Sequence, residues 1–195
     1  MKYLKIVSLL FVCTLGSLFV SCEETAEVNE YANWQERNEA FIDSIAKVAN
    51  ANADGKWMRL LTISLDSIDI AGNLVEHDTE DYVYCHIESE GEDTEHPLTT
   101  VSVNYRGRLI PTTSFPEGKI FDESYKGVLN PATNKPVELS IDDVIEGWRT
   151  ALVHMAKGDI WRVYIPANLG YGSSNKTDIP AYSTLIFDIN LIDFK

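Results

Sequence analysis

Three stretches of this chain alternate apolar and polar residues with a period of two: Val101, Val103 and Tyr105; Trp161, Val163 and Ile165; and Leu185, Phe187, Ile189 and Leu191. Period two is the mark of a strand with one buried face. Between the first and second stretches the period changes once. Val144, Trp148 and Leu152 recur at four-residue steps, as on one face of a helix. That helix is predicted to begin near Asp142, because Ser140 with Asp143 three residues on resembles a capping box and acids suit the positive helix end. Tyr82 to Ile87 reads as a further strand, followed by an acidic loop from Glu88 to Glu95. Several short strands and one short central helix predict an α+β domain over residues 82–195, with a curved antiparallel β-sheet wrapped around that helix.

The core must hold this fold without covalent help. The chain has three cysteines, of which Cys13 and Cys22 belong to its beginning, so Cys85 stands alone and no internal disulfide can close. Lys2 and Lys5 precede an almost unbroken apolar run from Ile6 to Val20, shorter than the ~20 residues a membrane-spanning helix needs. Residues 1–21 therefore read as a signal peptide. Its end, Phe19-Val20-Ser21-Cys22, resembles the bacterial lipobox, which implies cleavage before Cys22 and acylation of its thiol. The competing reading is ordinary signal cleavage with Cys22 as a bystander. Residues 22–30 are acidic and polar and read as a tether, so the domain is expected to be exported and lipid-anchored in the cell envelope through Cys22.

Charge excludes one class of partner. The formal net charge is −14, and loss of residues 1–21 removes Lys2 and Lys5 but no acid, lowering it to −16. Nucleic-acid binding needs a basic surface, so it is excluded as a function. The four histidines are scattered, and Cys85-His86 has no further ligands nearby, so the sequence calls for no metal and no cofactor.

Residues 31–81 read as an N-terminal helix and a connector. The helical period runs from Trp34 to Ala51, with Trp34, Phe41, Ile45 and Val48 on one stripe, and Asn52-Ala53-Asp54-Gly55 ends it. The stripe would pack on the chain's own domain or, alternatively, form a homodimer contact. Residues 57–80 carry short apolar runs broken by acids and give no assignment beyond a connector.

Five blocks then occur in order: Val103-Asn-Tyr-Arg-Gly-Arg-Leu109, Gly118-Lys-Ile-Phe-Asp-Glu-Ser124, Asp143-Val-Ile-Glu-Gly-Trp148, Ile165-Pro-Ala-Asn-Leu-Gly-Tyr-Gly172 and Ile179-Pro-Ala-Tyr-Ser-Thr-Leu-Ile-Phe-Asp188. Together they resemble the FKBP-type peptidyl-prolyl cis–trans isomerases, particularly bacterial exported members. The resemblance implies an FKBP-like fold and isomerisation of Xaa-Pro bonds in proline-containing polypeptides, with no cofactor. It implies a catalytic set of Tyr105, Phe121, Asp122, Ile145, Trp148, Tyr171 and Phe187, with Val144, Ile179 and Val137 completing the substrate pocket. In that picture Trp148 is the floor, Phe121, Phe187 and Tyr105 are walls, the Tyr105 hydroxyl bonds Asp122, and the Ile145 N–H and Tyr171 hydroxyl are donors.

Taken singly, each of these residues has an ordinary explanation: core filler for the aromatics, a turn acid for Asp122, a helix residue for Ile145, a loop aromatic for Tyr171. Their joint occurrence in five ordered blocks carries the functional reading. Departures fall in the frame of the pocket. Val137 stands where an aromatic is common, the loop Ile110–Gly118 is long, residues 173–178 lack a histidine, and Ala181 replaces a frequent proline. These leave open a proline-binding holdase with little turnover.

Overall fold

The structure, a computed structural model, describes residues 29–91 and 94–195. The leader, Cys22 and most of the acidic tether lie outside the described residues. Among those described, α1 spans Trp34–Ala51 and α2 spans Glu146–Leu152; the strands are β1 Trp57–Leu61, β2 Tyr82–Ser89, β3 Thr100–Arg108, β4 Ile120–Glu123, β5 Val137–Ser140, β6 Ile160–Ile165 and β7 Leu185–Phe194. The strands form one curved, wholly antiparallel sheet in the order β1-β2-β6-β7-β3-β4, with β5 pairing the first half of β3 and β4 its second half.

Register explains why the alternating stretches form one core. Tyr105 lies opposite Ile189 and Ile189 opposite Trp161; Gly107 lies opposite Phe187 and Phe187 opposite Val163; Val163 lies opposite Cys85. Because strand neighbours share a face, these side chains meet on one side of the sheet. There they bury α2 through Trp148, Ala151 and Leu152. Cys85 sits fully buried in this layer, where burial pushes its thiol pKa up and keeps it an inert hydrophobe.

The helix of the core is shorter than the sequence predicts. Ile141–Asp143 form a separate 3-10 turn, Val144 and Ile145 are extended, and the α-helix begins at Glu146. The Ser140 hydroxyl caps that turn, accepting from the Asp142 N–H at 3.3 Å. Val144 thus precedes the helix instead of lying on its face.

The opposite side of the sheet carries α1. Its ends match the sequence reading, but its buried face is rotated: Trp34, Asn38, Ile42, Ala46 and Ala49 are buried, Phe41 and Ile45 are half-buried, and Val48 is exposed. The reason is polar. The Asn38 side chain accepts from the Thr184 N–H at 2.7 Å and donates to the Trp34 carbonyl at 2.6 Å, while Trp34 Nε1 donates to Ser183 Oγ at 2.9 Å. Ile42 and Ala46 then pack on Tyr84, with Trp57 and Tyr164 beside them. Residues 57–81 are also more than a connector. β1 pairs with β2 from Trp57–His86 to Leu61–Tyr82, extending the sheet by one edge strand.

Replacing Asn38 with Ala strands the buried Thr184 N–H and is expected to cost about 1–3 kcal/mol. Val48→Ser, on the exposed side, is expected to stay within about 0.5 kcal/mol of wild type. Urea unfolding followed by tryptophan fluorescence checks both; equal losses would refute the observed docking face.

Candidate active site

Beside α2 the sheet leaves a hollow of about 340 Å³, lined by Tyr105, Asp122, Leu139, Asp143, Val144, Ile145, Trp148, Tyr171 and Phe187. Trp148 is its floor. The residue before it, Gly147, lies so close to β6 that a Cβ there would stand 2.3 Å from the Ile165 Cγ2. A larger residue there would force Ile165 or the helix to shift, and the close approach leaves the Trp148 indole on the lining of the hollow.

The walls are aromatic and locked edge to face. Trp148 meets Tyr105 at 5.2 Å and 89°, and Phe187 at 5.1 Å and 88°. Phe121 meets Phe187 at 5.5 Å and 86° from behind. Such pairs are each worth about 0.5–1.5 kcal/mol beyond their buried area. Gly107 makes room for them: a Cβ there would lie 2.6 Å from Phe187 and 2.7 Å from Phe121.

Polar groups share the lining of the hollow with these rings, and several are fixed in place. The Tyr105 hydroxyl donates to Asp122 Oδ2 at 2.7 Å, and Ser124 pins the Tyr105 backbone, its Oγ accepting from the Tyr105 N–H at 2.8 Å. Burial, followed by the bond to the Asp122 carboxylate, pushes the Tyr105 pKa up, so the hydroxyl keeps its proton across the physiological range. Ile145 is the N-cap of α2, so its N–H has no acceptor within the helix; its carbonyl accepts from Arg149 at 3.1 Å. Tyr171 is held by a loop that closes on itself through Gly172 N–H to Ala167 O (2.7 Å) and Tyr182 N–H to Gly172 O (2.8 Å), and Lys176 Nζ lies 5.2 Å from its ring centroid.

Seven of the ten side chains expected in the site line the hollow: Tyr105, Asp122, Val144, Ile145, Trp148, Tyr171 and Phe187. Phe121 does not line the hollow but packs edge to face on Phe187, and Ile179 is buried in the core. Val137 does not reach the hollow. It lies opposite Val103 on β5, and Leu139, on the same face two residues further on, takes that place. Leu139 went unread in the sequence, where no strand was assigned to residues 137–140, and Asp143 was visible only as a helix-start acid. Among the described residues no group of His, Cys, Asp and Glu is arranged to hold a metal ion.

Behind the wall, Asp188 joins three strands. Its carboxylate accepts from Arg108 of β3 at 2.5 Å and from Arg162 of β6 at 2.7 Å. Burial raises the Asp188 pKa, but the two guanidiniums outweigh it and hold the carboxyl below its usual range.

A family model described as FKBP-type peptidyl-prolyl cis-trans isomerase matches residues 91–192. The chain belongs to this family. It is 42% identical over 106 residues to the FKBP-type peptidyl-prolyl cis-trans isomerase FkpA of Buchnera aphidicola subsp. Schizaphis graminum, covering 54% of this chain and 37% of that protein. The match thus spans little more than a third of such relatives. Among solved structures, a peptidyl-prolyl cis-trans isomerase from Pseudomonas syringae superposes with a TM-score of 0.56 at 25% identity, covering 84% of this chain and 94% of that one. FkpA from Escherichia coli superposes with a TM-score of 0.55 at 28% identity, covering 83% and 61%.

The Asp188 pairs carry a pH dependence of known sign. A carboxyl whose folded pKa is depressed stabilises the fold above its unfolded pKa of about 3.9, and that stability is lost as pH falls through the folded value. Asp188→Asn is therefore expected to be less stable than wild type at pH 7 and to lose less on acidification below about pH 4. Unfolding midpoints across pH 2–7 measure this, and parallel curves would refute it.

Proposed function

We propose that this chain is a peptidyl-prolyl cis–trans isomerase acting on Xaa-Pro bonds of exported polypeptides, anchored in the bacterial envelope by lipid on Cys22. The observation that carries the catalytic reading is the Tyr105–Trp148–Phe187 aromatic hollow, open on one side, with the Tyr105 hydroxyl tied to Asp122.

Peptide-bond rotation breaks amide resonance, a barrier of ~18–20 kcal/mol. Resonance places negative charge on oxygen and positive charge on nitrogen, so water favours the planar ground state over the twisted one. A proline ring over Trp148, walled by Phe187 and Tyr105, brings its imide into a place where aromatic carbon replaces that water. In this reading the Ile145 N–H and the Tyr171 hydroxyl, on two residues that line the hollow, hold substrate carbonyls while the bond turns. Nothing in this step needs a nucleophile.

Export and anchoring rest on the apolar run to Val20 and the Ser21-Cys22 junction. A homodimer through α1 has less support, because the buried face of α1 is already committed to its own sheet.

The purified chain is expected to speed cis–trans exchange of a short Ala-Ala-Pro-Phe peptide, and Phe187→Ala and Asp122→Val are each expected to lower kcat/KM at least about tenfold, about 1.4 kcal/mol of transition-state stabilisation. Wild-type exchange at the uncatalysed rate would remove the enzyme reading. Mass spectrometry of the protein recovered from a bacterial host is expected to show an acylated N-terminal Cys22; a free thiol there would remove the anchor.

A further inference from the structure

Between β1 and β2 the chain builds a small hairpin that the isomerase site does not use. Asp69 N–H donates to Asn73 O at 2.8 Å and Val75 N–H to Ser67 O at 3.0 Å, with Ile68 bridged to Leu74. The turn is pinned by Asp69, whose carboxylate accepts from Ala71 N–H, Asn73 N–H and Asn73 Nδ2 at 2.8–2.9 Å, and by Gly72 at φ +88°. A turn so fully hydrogen-bonded is an ordered element. Its apolar side chains nevertheless face water: Ile68 is 52% exposed, Leu74 84% and Ile70 fully, with Ile63, Leu65 and Val75 near 40%.

Six of the thirteen large hydrophobic side chains exposed among the described residues fall within positions 63–75, a concentration unlike the scattered apolar exposure of an ordinary surface. Two observations select the occupant. First, residues 62–81 contain Asp66, Asp69, Glu76, Asp78, Glu80 and Asp81 and no Lys or Arg. An anionic lipid surface or a second copy of the same face would meet like charge, whereas a basic, apolar chain would be attracted. Second, the base of the segment is fixed to α2. Thr62 Oγ1 donates to Glu146 Oε1 at 2.8 Å and Ile63 N–H to Thr150 Oγ1 at 3.4 Å. Glu146 directly follows Ile145, which lines the aromatic hollow.

We infer that the 66–77 hairpin is a second contact for the polypeptide substrate, gripping an apolar, basic stretch of the same unfolded chain whose proline enters the hollow; the identity of this occupant rests on the isomerase reading. An extended chain covers about 3.3 Å per residue, so a few residues beyond the proline suffice to leave the hollow.

The test uses Ile70→Ser with Leu74→Ser, which removes exposed methyl groups and leaves the Asp69 turn intact. Two proline-free, fluorescein-labelled 20-residue probes are compared by anisotropy: one with leucines among lysines, the other with glutamate in place of each lysine. Wild type is expected to bind the lysine probe at least ten times more tightly than the glutamate probe, and the double variant to lose at least tenfold of that affinity. Turnover of the short proline peptide is expected to be unchanged in the variant. Equal binding of the lysine probe by variant and wild type would overturn the inference. So would loss, in the variant, of self-association in sedimentation or of binding to phosphatidylglycerol vesicles without any loss of probe binding. If wild type bound the probe through the hairpin yet failed to isomerise the short peptide, the isomerase reading would fall and the hairpin would stand.

Discussion

The site depends on how closely α2 can approach the sheet. A seven-residue helix has no independent stability, since the nucleation cost of a helix is recovered only over a longer run or by tertiary burial. Here Trp148, Ala151 and Leu152 supply the burial, and Gly147 removes the one side chain that would hold the helix away from Ile165. The same device recurs at Gly107, where an absent Cβ leaves room for Phe121 and Phe187. Two glycines therefore set the depth of the floor and the position of the wall. Interiors packed at crystal-like density take in an added methyl group only through off-rotamer side chains and backbone shifts costing about 1–3 kcal/mol, so both distances are tightly held.

The two faces of the sheet are coupled through the segment that enters β7. On one face Phe187 stands in the wall; on the other Asp188 gathers Arg108 and Arg162 across three strands. Just before them, Ser183 and Thr184 receive Trp34 and Asn38 of α1. The N-terminal helix thus fixes the start of the strand that carries the wall, although it contributes nothing to the lining of the hollow. Its docking is polar at one end and apolar at the other, where Ile42 and Ala46 cover Tyr84. The hydroxyl of Tyr84 donates to the Thr79 carbonyl at 2.8 Å, and burial pushes its pKa up to about 12. α1 is a buttress for the isomerase fold.

β3, β6 and β7 were legible because their large apolar residues recur with period two, which survives many details of packing. Trp161, Val163 and Ile165 are buried in that alternation. What escaped was set by partners far along the chain. The face of α1 was misread because a buried asparagine looks like a surface residue until Thr184 is placed beside it, 146 residues away. The start of α2 was misplaced because Ser140 caps a 3-10 turn as readily as an α-helix, and local sequence does not separate the two. β1 was hidden because both faces of Trp57–Leu61 are only half-buried, as suits an edge strand, so neither period emerges. The aromatic members of the site came from motif resemblance. Leu139 replaced Val137 because the register of β5 against β3, which decides which residue reaches the hollow, is a property of the fold alone.

Charge and apolar surface act on a polypeptide substrate at different ranges. A chain of net charge −14 attracts basic segments over about a Debye length, roughly 8–10 Å at physiological salt, and this speeds encounter more than it tightens binding. Retention needs desolvated contact, and a hollow of about 340 Å³ has room for a proline and its immediate neighbours but not for a longer stretch of chain. In an isomerase, tight grip at the turning bond itself would hold ground and transition states alike, and such uniform binding does not raise kcat. Affinity for unfolded chains can then rise only through contacts remote from the turning bond. On the proposed reading the exposed Ile68, Ile70 and Leu74 are such contacts; their segment is tied at its base to α2 by the Thr62–Glu146 hydrogen bond, and none of the three lines the hollow. Their separation from the hollow lets holding and turning vary independently in one small protein.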